Sequence, residues 1–428
     1  MKKISVYFIL FVMPALLFLS CAREERVPDG LVRISYYNPE GLPVLVKLME
    51  GLVDEFEKEN PDIKVKLEWG GGLQKLLTQI AGGNAPDVFF WWLAPDVLIE
   101  KGALMPISEY VEKHKLDLSQ YYRCSVDYNI YNGKAYGIPL QLKTLAVVYN
   151  KDMFDKENIP YPAEDWTWDD YYRIAKALTK DLDNDGKREQ FGCQDPMGGW
   201  NCATWVKMNS GELFDYERGK SLLMEDAKTK EALRFVVKLH TETAPSAAET
   251  DSMASRRGLA AIHTGKVGMG VIWSWQMRGV FMLKNFRWDV APIPIPPAGL
   301  RRQVFDAGGL YISSATRHPE EAFRFMKFYC GEKGQKVLGE LKNGLPCHKE
   351  ASGIFLSGPP AGMRFFELGV DNNPIRLENK LPEGRAEMWD ETMKMFSDEM
   401  EMVLIGEKGL DEALKDASGK MEKRYKLF

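Results

Sequence analysis

Six of the eleven tryptophans, Trp69, Trp91, Trp92, Trp200, Trp273 and Trp275, stand at the ends of apolar runs or beside glycines. A flat indole covers an apolar ligand face, while Asp, Asn, Gln and Arg hydrogen-bond a rim of hydroxyls. A sugar ring has both surfaces, a C–H face and a hydroxyl rim. Tryptophan also packs cores and domain junctions, so each of these residues is open to either role. Trp166 and Trp168 begin a helix and Trp288 precedes Asp289-Val290, and these three read as structural. Catalytic spacings are missing: there is no G-x-S-x-G, H-E-x-x-H, C-x-x-C or P-loop, and the five histidines are scattered. A glycan hydrolase needs only two suitably separated carboxylates, so that reading stays open. Asp181-Leu182-Asp183-Asn184-Asp185-Gly186 opens like a calcium loop, with alternating oxygen ligands and glycine at the sixth place. Its twelfth place is Gly192 instead of a bidentate Glu, although Glu189 could serve the ninth. The same run reads as a plain helix-to-strand turn, and no metal is expected.

The elements that must position these residues alternate between strand and helix. Residues 31–37 alternate as a strand, 44–56 carry helical periodicity, 63–69 are a second strand, 73–82 a short helix and 87–91 a continuous apolar strand. That order argues for a parallel α/β sheet covered on both faces. Gly137-Ile138-Pro139 reads as a strand broken by proline, and residues 145–149 as a separate β-rich run. Thr167 occupies an N-cap position with Asp170 three residues on, and Trp168, Tyr172, Ala175 and Leu178 follow at helical spacing. A helix is expected around 228–240, and a helix, Gly-rich turn and strand over 259–275. The Pro-rich segment 291–297 is a connector, 304–314 a strand, and Pro319 opens a helix with Glu320 and Glu321 in its first turn. Trp389, Met393, Phe396, Met400 and Val403 mark one face of a long helix, and Leu410, Leu414 and Ala417 begin the last.

The order G-I-P, strand, Y-N-K-D-x-F, loop, W-T-W-D-D over residues 137–170, together with AGGNAPDVFFWW over 81–92, resembles the family 1 extracellular solute-binding proteins of ATP-driven importers. Further matches lie at 259–275 and 306–328, and in motif order the resemblance spans nearly all of 31–428. It implies an α/β, two-lobed periplasmic-binding-protein fold of type II, with mixed sheets in each lobe. Three inter-lobe crossings would fall near Tyr149, Pro296 and Lys349. Lobe 1 would comprise 31–148 plus 303–350, and lobe 2 would comprise 149–302 plus 351–428. The family's stacking aromatics fall on Trp91, Trp273 and Trp389. Its polar contacts fall on the loop after the first strand (Tyr37, Asn38, Glu40), the loop after the second from Gly70, the segment with Gln141, and Asp306 with Gly308 and Gly309. Arg364, near the third crossing, is a further candidate. The implied function is to bind a carbohydrate, an oligosaccharide or glycoside, and deliver it to a permease, as a monomer with no cofactor and no enzymatic activity. Glycerol-phosphate binders share the pattern, and Arg256-Arg257 or Arg301-Arg302 could meet a phosphate.

Length and composition agree with an exported globular protein. The chain has 428 residues, 45% apolar and 27% charged, without collagenous or disordered bias. Lys2 and Lys3 precede an apolar run from Ile4 to Leu19 that contains Pro14, shorter than the roughly 20 residues of a membrane span. Residues 1–20 read as a signal peptide, and Cys21 after Ser20 resembles the lipid-modified cysteine of bacterial lipoproteins. Residues 21–30 would then tether the protein to a membrane. Phe18 departs from the Leu, Val or Ile usual three residues before such a cysteine. Removing Lys2 and Lys3 from 56 basic residues leaves 54 against 61 acidic, a net charge of −7. That balance disfavours nucleic acid. Cys124, Cys193, Cys202, Cys330 and Cys347 cannot all pair, and 193 with 202 and 330 with 347 are the possible disulfides.

Overall fold

A computed structural model describes residues 30–197, 200–246, 249 and 261–426. The expectations for Cys21, the signal segment and Arg256-Arg257 fall outside these residues. The strands of the main sheet are β1 (Val32–Asn38), β2 (Ile63–Trp69), β3 (Val88–Trp91), β4 (Gly137–Asn150), β5 (Phe191–Cys193), β6 (Val267–Trp273), β7 (Trp288–Ala291), β8 (Val304–Ile312), β9 (Leu345–Pro346) and β10 (Ile375–Arg376). They form one sheet system in the order β2-β1-β3-β8-β4-β6-β5, with β7 and β9 on β4 and β10 on β8. β1 runs parallel to β2 and β3, whereas β8 is antiparallel to β3 and to β4. Beyond β4, β6 and β7 are antiparallel to it and β5 is parallel to β6.

β4 is the axis of the molecule, and it corrects the expectation of two short strands. All fourteen of its residues are buried. Its first half pairs with β8 and its second half with β6 and β7. Pro139 does not break it, because a β-bulge absorbs the irregularity: Gly308 pairs with Gln141 and Gly309 with Pro139, leaving Leu140 over. The spare Leu140 carbonyl accepts from Cys347 N–H at 3.3 Å, and Pro139's carbonyl accepts from Gln335 Nε2 at 2.9 Å. Where β4 changes partners, ladder bonds run out and side chains replace them. Gln303 accepts from Leu145 N–H (3.2 Å) and donates to its carbonyl (3.0 Å). Ser274 Oγ accepts from Thr144 N–H (3.3 Å) and donates to the Leu142 carbonyl (3.0 Å). Buried backbone groups are paired here as elsewhere, by other means.

The helices used below are α1 (Pro43–Glu59), α2 (Gly72–Ala81), α3 (Asp96–Glu100), α4 (Arg123–Tyr128), α5 (Trp168–Leu178), α6 (Asn201–Met208), α7 (Ala227–Thr243), α8 (Pro319–Cys330), α9 (Glu332–Glu340), α10 (Lys349–Leu356), α11 (Met388–Leu404) and α12 (Leu410–Tyr425). Alternation along β4 feeds two cores: Ile138, Leu140, Leu142, Ala146 and Val148 face one, with α1 and α8. Leu145, Val147 and Tyr149 face the other, with α5, α6, α7, α11 and α12. After β9 the chain stays with the first core through α10, and the turn Ala361–Phe366 then lies against β7. Among the described residues no helix is long and apolar enough to cross a membrane.

The Thr167 capping box forms as expected, with Thr167 Oγ1 accepting from Asp170 N–H and Asp170 Oδ2 accepting from Thr167 N–H. Tyr171, not Tyr172, turns inward, while Tyr172 donates to Glu242 at 2.7 Å. The helix expected at the start of 259–275 is, among the described residues, a 3-10 turn, Ala261–Thr264. All five described cysteines are free thiols, correcting the possible pairs. Cys193 Sγ lies 3.2 Å from Thr243 Oγ1, and Cys330 Sγ donates to the Ile138 carbonyl at 3.5 Å.

Gly192 has a packing reason to be glycine. It sits on β5 directly against α5, and a Cβ there would overlap the Ala175 carbonyl, which is backbone and cannot swing away. Gly192→Ala is therefore expected to destabilise by about 1–3 kcal/mol or more, as overpacking against a rigid neighbour does. Urea unfolding checks this, and an unchanged midpoint would refute the packing argument. The twelfth place of the calcium-like loop is thus occupied for a structural purpose. Asp181, Asp183, Asp185 and Glu189 offer oxygens within 4.8 Å of one another. The Asp181 carboxylate already accepts from the N–H groups of Asp185 (3.2 Å) and Gly186 (2.9 Å), as in a plain turn.

Candidate functional site

A cleft of about 470 Å³ opens where β3, β4, β6 and β8 converge. Its indoles are Trp92, Trp200, Trp273 and Trp275. Glu40, Gln141, Lys143, Gln194, Asn201, Gln276, Asp306 and Glu378 line it with polar groups, and Leu93 and Leu377 complete the wall. Seven residues singled out from the sequence meet here: Glu40, Trp92, Gln141, Trp200, Trp273, Trp275 and Asp306.

Local structure explains each presentation. Asn38 Oδ1 accepts from Glu40 N–H at 2.9 Å, a tight turn that carries Glu40 into the cleft. Asn38 itself is buried. Gln141 and Lys143 are two apart on β4 and share the cleft face, while Leu142 enters the core. Gln141 Nε2 donates to the Asn343 carbonyl. At the end of β6, Gln276 Oε1 accepts from Trp273 N–H at 2.8 Å, closing the 3-10 turn Ser274–Gln276. That turn sets Trp273, Trp275 and Gln276 at the cleft, with Trp275 46% exposed.

Other expected site residues lie elsewhere. Trp91 is one residue from Trp92 and therefore points to the opposite face of β3, into a small core with Phe89 and Tyr311. Its Nε1–H donates to the Ala94 carbonyl at 3.2 Å. Trp389 is on the buried face of α11, its ring centroid 5.9 Å from that of Trp200, which stands between it and the cleft. Trp91 and Trp389 are each 4% exposed and instead line an adjoining chamber of about 200 Å³, which shares Leu93 and Glu378 with the cleft. Tyr37 is fully buried, its hydroxyl 2.6 Å from the Gly70 carbonyl and 2.9 Å from that of Gly72, so it braces the loop after β2. Trp69 packs edge-on against Tyr36. Gly70 bonds the Asn38 carbonyl through its N–H at 3.0 Å. Gly308 and Gly309 are inside β8, where a Cβ would crowd the Phe90 ring at 2.9 Å and Asn129 Oδ1 at 2.8 Å. They pack closely and do not line the cleft. Arg364 is exposed and pairs with Glu164, away from the cleft.

Lys143, Gln194, Asn201, Gln276 and Glu378 were not foreseen. Gln141 and Lys143 carried a signal, two polar residues at period two inside an otherwise apolar run. Glu378 follows the short β10 and carried none.

The floor is charged and tightly bonded. Lys143 Nζ is 2.8 Å from Asp306 Oδ2 and also donates to the Trp92 carbonyl, and the two side chains are only 11% and 9% exposed. Asp306 Oδ1 accepts from Ala307 N–H at 2.9 Å and from the Tyr128 hydroxyl. Glu378 Oε2 accepts from Ala94 N–H at 2.9 Å and lies 3.3 Å from Tyr128 Oη. Behind them the Arg376 guanidinium sits 4.0 Å from the Tyr128 ring centroid and 3.3 Å from Asp96. Burial, with the charge of Asp306 adding to it, pushes the Glu378 carboxyl up to about 8. Burial also raises Glu40, against a lowering by the Asn343 amide. Lys143 is the single cation among the described residues lining the cleft, and it is committed to Asp306. Arg301 donates to the Ile293 carbonyl (2.6 Å) and Arg302 to the Asn373 carbonyl (3.0 Å), neither at the cleft.

Indoles above a rim of amides and carboxylates suit an uncharged polyhydroxylated ligand. Residues 43–336 match the family described as "Bacterial extracellular solute-binding protein". A putative binding protein of Brucella abortus (strain 2308) is 24% identical over 375 residues, covering 86% of this chain and 87% of that protein. The maltotriose-binding protein of Pyrococcus abyssi is 23% identical over 318 residues, 72% of this chain and 64% of that protein. Among solved structures, an ABC substrate-binding protein from Listeria monocytogenes in complex with cycloalternan superposes with a TM-score of 0.79 at 27% identity, covering 92% of this chain and 99% of its own. The chain has the α/β periplasmic-binding-protein fold and belongs to the bacterial extracellular solute-binding proteins, the non-enzymatic solute receptors of ABC transporters.

Proposed function

We propose that this protein binds an uncharged oligosaccharide or glycoside outside the cytoplasm and delivers it to an ABC permease. The observation that carries this reading is a cleft walled by four indoles, whose one cation among the described residues is already paired. The oligosaccharide ligands named for the Listeria and Pyrococcus proteins support it. The type II lobes would be 31–148 plus 303–350 and 149–302 plus 351–428. They would close over the sugar by bending at three crossings, of which the one in β4 has ladder bonds replaced by Gln303 and Ser274. Sugar stabilises the closed form through contacts to both lobes that the open form lacks. Cys21, lipidated after signal removal, would hold the receptor at the membrane as a monomer. A phosphorylated polyol is disfavoured, since among the described residues lining the cleft a phosphate would find only Lys143, and would have to displace Asp306 from it. Affinity is expected near micromolar, about −8 kcal/mol.

The test is a thermal-shift screen of residues 22–428 against glycans, glycerol phosphates, amino acids and polyamines. A glycan at a hundredfold excess over its dissociation constant should stabilise by about 2.7 kcal/mol. Shifts confined to one glycan series support the proposal. Shifts only with phosphates or amines overturn the ligand class.

A further inference from the structure

Three buried carboxyl groups, Asp96, Asp306 and Glu378, share the cleft floor and its support with two cations, Lys143 and Arg376. Each cation is taken: Lys143 by Asp306 at 2.8 Å and Arg376 by Asp96 at 3.3 Å. Glu378 is the carboxyl left over, and among the described residues it forms no ion pair. The charged groups around it come from several neighbouring elements: Lys143 on β4, Asp306 on β8, Arg376 on β10, Asp96 on α3 and Glu40 after β1, and across the adjoining chamber Asp390 on α11 and Lys101 after α3, the latter paired with Glu387. Lys207 on α6 is close by, but its ammonium is bound to Glu212 and Asn379.

Hydrogen-bond arithmetic points the same way. Tyr128 has one proton to donate, and Asp306 Oδ1 makes the shorter contact with it. Glu378 Oε2, 3.3 Å from the same phenol oxygen, then bonds to it only by donating. An ionised carboxylate there would face oxygen lone pairs on one side and Asp306 beyond, with the Ala94 N–H as its sole donor among the described residues.

We propose that Glu378 stands in the cleft as a neutral carboxylic acid donating its proton to Tyr128, and that this proton balances the charge of the floor and selects an uncharged ligand. The selection clause rests on the carbohydrate reading, while the protonation does not. The proton orders a chain in which Glu378 donates to Tyr128, Tyr128 donates to Asp306, and Asp306 pairs with Lys143. Losing it would put two anionic oxygens on one phenol and leave the floor with a net negative charge. Burial raises this carboxyl, as noted above, which agrees with the geometry. Because the folded-state value lies above the ordinary 4.5, stability from this group is full below that value and is lost as pH rises to about 8.

The first two readouts need no ligand. Carbon-detected NMR of the protein labelled at glutamate carboxyls, titrated from about pH 4 to 10, is compared with Glu378→Gln, which keeps a donor toward Tyr128. One resonance missing from the variant should titrate near 8. A missing resonance that titrates in the ordinary glutamate range overturns the proposal. As a second readout, wild-type melting temperature should fall between about pH 5 and 8 more steeply than that of Glu378→Gln, and parallel profiles also overturn it. With maltotriose as the probe, wild-type affinity should fall about tenfold per pH unit above 8 and the variant's should not. A chain that shows the titration but binds no sugar keeps the protonated Glu378 and loses the carbohydrate reading.

Discussion

Trp273→Ala is expected to weaken sugar binding by about 2–4 kcal/mol, roughly 30- to 700-fold in affinity, the range of a buried aromatic anchor. Trp273 ends β6 and presents its indole to the cleft, while its backbone N–H bonds to Gln276 Oε1 at 2.8 Å. Alanine keeps that backbone bond, so the turn should survive and the loss should fall on the ligand. Titration calorimetry with the glycan that responds in the thermal screen measures it, with melting temperature as the control for folding. Trp275→Ala should cost less, because that indole is 46% exposed and already partly wet. Trp91→Ala and Trp389→Ala report on the adjoining chamber. Should Trp389→Ala abolish binding while Trp273→Ala leaves it intact, the sugar lies in the 200 Å³ chamber and our placement is wrong.

Lys143→Met should be the most damaging single change to the floor. It removes the partner of Asp306 at a site where both side chains are about nine-tenths buried. Breaking a buried ion pair from one side typically costs about 3–5 kcal/mol, because the remaining charge is left uncompensated. The Trp92 carbonyl also loses its donor. Denaturant unfolding of the single variants and of Lys143→Met with Asp306→Asn completes a double-mutant cycle. The double variant should recover part of the loss, since the stranded charge goes with the second change. Strict additivity of the two single losses would mean that the pair does not act as a unit.

The sequence was most legible where one element dictates its own geometry. The β1-α1-β2 unit, the Thr167 capping box and the buried face of α11 follow from periodicity and capping chemistry, and the described structure carries all three. Legibility failed where a second element decides. Pro139 looked like a strand end because the bulge that accommodates it is set by Gly308 and Gly309 on β8, some 170 residues away. Trp91 and Trp92 could not be told apart without the strand's phase relative to the core. Trp389 lies behind Trp200 because α6 and α11 pack together, a contact with no local signature. Glu378 becomes notable only beside Asp306 and Tyr128, residues on two other elements. The cleft's aromatics and amides were readable as residue types, whereas its charge balance was a property of assembly.

β4 has one more consequence. Because this single buried strand supplies rungs to both halves and side chains to both cores, neither half is a complete folding unit without it. Expressing either half as a separate polypeptide would leave one of them with a missing central strand and exposed sheet edges prone to association. Thermal unfolding of the intact chain should accordingly register one cooperative transition by fluorescence and by circular dichroism, and a sugar gripped anywhere in the cleft should raise the melting point of the whole molecule.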